Sequence, residues 1–102
     1  MFKNELEKAS NKLNWDLQQQ ILILERFATY KNINRELNEF LFEKAEDDGY
    51  TIFDEGTTDV FDIAGEANWS AEELIKNILT FLEKNSNKES FSKYVSICFH
   101  NK

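Results

Sequence analysis

The chain has 102 residues, with 19 carboxylates against 12 lysines and arginines, a formal net charge of −7, and 41% apolar residues of which many are aromatic. That apolar content lies well away from the composition of disordered chains, and the length suffices for one core and one domain without staples. The acidic balance excludes direct binding to nucleic-acid backbones, the single cysteine excludes an internal disulfide or a cysteine-rich zinc site, and the longest apolar run, Ile21 to Leu24, is far too short to span a bilayer. Met1 is followed by mixed charges rather than an apolar leader, which together with the lone cysteine points to the cytoplasm.

Proline is absent, and the three glycines, Gly49, Gly56 and Gly65, are confined to the middle of the chain, so both flanks are free to run as helix. Phe2, Leu6, Ala9 and Leu13 recur at spacings of three and four and predict a first amphipathic helix. Asn14 is placed to cap a second, whose apolar face comprises Trp15, Ile21, Leu22, Leu24, Phe27 and Ala28, with Asp16 near its start complementing the helix dipole. Asn32, Ile33 and Asn34 interrupt it. Asn34 is placed to cap a third helix that uses Leu37, Phe40, Leu41 and Ala45, and Gly49 suits the left-handed position that ends it.

Residues 50–68 read two ways: a small hairpin pairing Thr51–Phe53 with Val60–Ile63, or a single helical turn capped by Thr58 and ending at Gly65. In either case Ile52, Phe53, Val60, Phe61 and Ile63 are too apolar for a solvated linker and predict a segment packed on the body. Ser70 and Glu73 match the capping box ahead of Leu74, Ile75, Ile78, Leu79 and Leu82. Ser86 and Glu89 repeat that pattern ahead of Phe91, Tyr94, Val95, Cys98 and Phe99, which favours a last helix over a strand from Lys93 to Phe99. The fold expected is mostly α, a single small domain (residues 1–102) of about five helices with a short irregular or hairpin segment at roughly 50–65. Asn14-Trp15 is echoed by Asn68-Trp69, and Ile21, Leu24 and Phe27 by Ile75, Ile78 and Phe81; the shared helical period accounts for this more cheaply than duplication.

The charge is concentrated. Residues 43–66, an acidic insert in the helical frame, hold nine carboxylates and the single cation Lys44, so this stretch is more negative than the chain as a whole. Clustered like charges repel and destabilise the compact state, which suggests a surface for a cationic partner. A solvated loop that aids solubility is the plain alternative. A calcium loop is the other: Glu46, Asp48, Gly49 and Glu55 fall at positions three, five, six and twelve of an EF-hand-like loop, but Lys44 at position one offers no ligand. His100 near the terminus, Cys98 on an apolar face and the lack of a phosphate loop give little catalytic equipment, and Cys98 reads as a small core residue. Trp15 and Trp69 read as structural residues at helix starts.

The sequence therefore predicts a non-enzymatic acidic interaction protein, without metal or cofactor, that binds a basic surface of a larger protein as an inhibitor, an immunity-type protein or a nucleic-acid mimic facing a nucleic-acid-binding enzyme. The partner-binding candidates are Asp47, Asp48, Tyr50, Asp54, Glu55, Asp59 and Asp62, with no membrane contact and the oligomeric state open. The alternatives are a divalent-cation-binding regulatory domain and a self-assembling structural subunit.

Overall fold

The computed structural model describes residues 2–47, 49, 60–85 and 88–99. They form six helices: α1 (Phe2–Leu13), α2 (Leu17–Tyr30), α3 (Asn34–Asp47), α4 (Val60–Ala67), α5 (Ala71–Asn85) and α6 (Lys88–Phe99). No strand occurs among the described residues, so the last segment is helical, as its capping pattern and apolar spacing predict. The sixth helix beyond the expected five is α4. It takes residues 60–63 out of the hairpin reading and continues through Gly65 rather than ending there. Thr51–Phe53 and the proposed caps Thr58 and Ser86 lie outside the described residues.

α2 packs on α5 at the centre, α1 on α6 and α5, and α3 on α4 and α5. One apolar cluster drawn from all six helices fills the space between them. At its α1–α2–α6 end four rings meet. Phe27, with no exposed surface, lies 5.8 Å from Phe2, 5.3 Å from Phe91 and 5.6 Å from Tyr94 between ring centres, the Phe91 contact being edge-on. At the other end Phe40 meets Phe81 at 5.6 Å. Tilted and edge-to-face rings place positive edges against negative faces, which adds to the burial of their area.

The helix junctions correct the capping assignments. Asn14 does not cap α2; it stands in the left-handed region (φ 58°), and the Trp15 N–H donates back to the Ser10 carbonyl at 3.0 Å. Asn32 (φ 61°) closes α2 the same way, with Ile33 N–H on the Ala28 carbonyl at 2.9 Å, and Asn68 (φ 60°) closes α4 with Trp69 N–H on the Ala64 carbonyl at 2.9 Å. Asn34 is therefore inside α3, at its first position, rather than ahead of it. This is the Schellman closure, in which the residue after the left-handed one seals the last turn and packs an apolar side chain on the helix. Trp15, Ile33 and Trp69 occupy that place, each partly buried against the core. Gly49 (φ +92°) ends α3 as its sequence position predicts.

After Trp15 and after Trp69 the next residue caps the following helix. The Asp16 carboxylate accepts from Gln19 N–H at 2.8 Å while the Gln19 side chain accepts from Asp16 N–H, and Ser70 and Glu73 make the same reciprocal pair at 3.1 and 2.9 Å. Each box satisfies two of the free N–H groups at a helix start. Asp16→Ala and Ser70→Ala should each lower stability by about 1 kcal/mol, and since the sites share no partner the double variant should add the two, as read by urea denaturation.

Two residues depart from the expected core. Leu22 is 36% exposed, its place taken by the buried Ile23, and Cys98 is exposed rather than buried. Asn77 of α5 is the reverse case: it is 8% exposed, and its side chain has no hydrogen-bond partner among the described residues. A buried amide without a partner loses its water for nothing in return, and asparagine is a poor helix former. Asn77→Leu should therefore raise stability by about 1–2 kcal/mol, seen as a higher urea midpoint with an unchanged slope.

Candidate partner-binding surface

The described parts of the acidic stretch are mostly helical. Its first part is the last turn and a half of α3 and its last part is α4, both of which contribute buried residues to the core: Leu41 and Ala45 from one, Val60, Ile63, Ala64 and Ala67 from the other. Burial of those residues turns the intervening carboxylates outward. Glu39, Glu43, Glu46 and Asp47 are exposed, with Glu43 four residues after Glu39 and both Glu46 and Asp47 one turn after Glu43 along α3, while Asp62 and Glu66 are four apart along α4. Side chains at these spacings are neighbours on a helix surface, so each helix carries an acidic ridge. The helices pack on each other, which places two such ridges on adjoining elements.

Cations do little to neutralise this face. Arg35 pairs with Glu39 at 3.3 Å across one turn, both largely exposed. Glu43, Glu46, Asp47, Asp62 and Glu66 make no salt bridge with any described residue. Like charges one turn apart destabilise a helix by a few tenths of a kcal/mol per pair.

Of the seven residues predicted from sequence to meet a partner, Asp47 is at the exposed end of α3 and Asp62 on the exposed side of α4. Asp48, Tyr50, Asp54, Glu55 and Asp59 lie outside the described residues, as does most of the EF-hand-like loop. Sequence reasoning left Glu43, Glu46 and Glu66 out of the candidate set. Their spacing from Asp47 and Asp62 was the available signal, since it marks them as sharing a ridge once both segments are helical.

The opposite pair of helices differs in charge. On α1 and α6, Lys3, Lys8, Lys12 and Lys93 are exposed, interspersed with Glu7 and Glu89. The molecule is thus polarised, negative across α3 and α4 and mixed to positive across α1 and α6. Comparison with protein-family models, characterised proteins and solved structures finds no match.

Two further features are chemically plain. A groove of about 630 Å³ runs between α1, α2 and α5, lined by the apolar Leu6, Ile75 and Leu79 and by charges of both signs, Lys3 and Lys76 with Glu7, Glu72 and Glu83. Its lining contains no histidine, cysteine or serine. No group of three or more metal-ligating side chains occurs among the described residues, and none of the described helices is long and apolar enough to cross a membrane.

On α6, burial pushes the Tyr94 phenol up to about 12, and the Cys98 thiol beside it adds to the rise. The fold thus favours the neutral phenol, whose ordinary value is about 10. Stability from this preference is complete below pH 10 and lost as pH climbs through 12. Tyr94→Phe should flatten that limb of the stability curve, measured as the difference between the two proteins by urea denaturation from pH 8 to 12.

Proposed function

We propose that this is a small acidic interaction protein whose α3–α4 face docks on a basic surface of a larger protein. The observation that carries the reading is the pair of exposed acidic ridges, Glu43–Glu46–Asp47 and Asp62–Glu66, held on two helices anchored in the core. Negative groups on a fixed backbone set up a directed field that steers a cationic partner, and they do so without the ordering penalty of a flexible tail. In the free protein the repulsion along each ridge is a loss, whereas a partner's lysines and arginines would relieve it.

The sharp form of the proposal is an inhibitor or immunity-type protein in the cytoplasm, with carboxylates standing where a nucleic acid's phosphates would stand. Its partner is then a nucleic-acid-binding enzyme, and the protein does no chemistry of its own.

The test is affinity capture from the native cell, using the parent chain and the variant E43Q/E46Q/D47N/D62N/E66Q, each at low and high salt. A docking partner is retained by the parent at low salt, released at high salt, and missing from the variant. Competition with double-stranded DNA displaces it if the face imitates nucleic acid. A partner set that the variant leaves unchanged would refute the assignment.

A further inference from the structure

We infer that the chain is two copies of one three-helix unit joined in tandem, α1–α2–α3 followed by α4–α5–α6, paired about an approximate two-fold axis through the α2–α5 contact. The first observation is the placement of the breaks. α1 ends at Leu13 and α4 at Ala67, and α2 begins at Leu17 and α5 at Ala71. Each pair is separated by the same fifty-four positions. A common helical period makes apolar residues coincide within two helices, but it does not make an ending and the next beginning fall at the same offset.

The corner between the first two helices of each unit repeats in its backbone turn and in its capping pattern. Asn14 and Asn68 have φ values of 58° and 60°; Trp15 donates to Ser10 and Trp69 to Ala64; then come the capping boxes of Asp16 with Gln19 and Ser70 with Glu73. Every one of these residues matches its counterpart at the same offset. Burial follows too, with Leu6 and Val60, Ile21 and Ile75, and Leu24 and Ile78 all in the core.

Two of the contacts between the halves fit a rotation that exchanges them. Phe27 of the first half meets Tyr94 of the second at 5.6 Å; exchanging the halves turns this into Phe81 meeting Phe40, which is also 5.6 Å. In the same way α1 on α6 becomes α4 on α3, and both packings are present, whereas the packings of α5 on α1 and on α3 have no equally extensive counterpart of α2 on α4 and on α6, so the two-fold is approximate. The main partner of each unit is therefore the other unit, as in the self-complementary interface of a two-fold dimer. Surface charge has not followed the repeat: Lys8 and Lys12 of α1 correspond to Asp62 and Glu66 of α4. The duplicated frame thus stands whether or not the acidic face docks on anything.

The full chain provides the test. Exchanging residues 14–30 with residues 68–84 preserves composition and length while placing each central helix in its counterpart's position. A control exchange of residues 14–30 with residues 66–82 is out of register by two. The in-register protein should keep its helical circular dichroism and melt cooperatively within about 15 °C of the parent, the scale of a few small packing mismatches, while the control loses its cooperative transition. Since Ala28 and Leu82 differ in volume, a smaller exchange of residues 14–24 with residues 68–78 accompanies it. Parent-like melting of either in-register protein supports the duplication; control-like behaviour of both overturns it.

Discussion

Phe27→Ala should lower the stability of this protein by about 3–5 kcal/mol and its melting temperature by roughly 15–30 °C. The ring has no exposed surface and touches Phe2, Phe91 and Tyr94, so its loss removes contacts to α1 and α6 at once and leaves a cavity between three helices that cannot all collapse into it. A small domain has about 5–15 kcal/mol in total, so the variant is close to unfolding at physiological temperature. The measurement is urea denaturation followed by circular dichroism, in which the midpoint should fall with little change in slope. Tyr30→Ala is the comparison: this ring stacks on Tyr94 at 4.9 Å but is 57% exposed, and its removal should take away less than about 1 kcal/mol. Equal effects at the two positions would contradict the placement of the aromatic core.

Neutralising the α3–α4 face should do the opposite to stability and far more to binding. In E43Q/E46Q/D47N/D62N/E66Q the like-charge neighbours along each ridge disappear, so the fold should keep its melting temperature or gain a few degrees. Affinity for a basic partner should fall by about 100-fold or more. Each exposed charge pair contributes about 0.2–1 kcal/mol, and five lost together reach the roughly 2.7 kcal/mol to which that factor corresponds. The parent's association rate should drop steeply as salt rises, whereas the variant's should hardly respond, because the steering field is what salt screens. The two results must occur together. A variant that binds less only because it has unfolded would show it by circular dichroism, and one that folds and binds as the parent does would remove the acidic face from the mechanism.

Much of the local structure was legible in the residues. Ser70 with Glu73 marked the start of α5, and Phe91 with Tyr94 at a helical spacing marked α6, because a capping box and an amphipathic stripe are properties of a few neighbouring residues. The asparagines misled for an equally local reason: the same side chain suits an N-cap and a left-handed helix end, and Asn14 was assigned the first role when it performs the second. Asp16 followed three residues later by Gln19 was the better cap in the same stretch. Leu22 and Cys98 show a different limit. A helix's periodicity gives the direction of its apolar face but not how far its neighbours extend over it, and both residues sit where that cover ends.

The sequence alone determined that this is a helical chain whose negative charge is gathered into one stretch, since helix formation rests on hydrogen bonds and side-chain spacing within a few residues and charge is a matter of composition. Only the tertiary structure decided that α3 and α4 lie together with their acidic ridges outward and that Phe27–Tyr94 and Phe81–Phe40 each join one half of the chain to the other. Those facts depend on which surfaces meet across half the chain. Packing selects among such meetings by shape and buried area, and neither is written in any short run of residues.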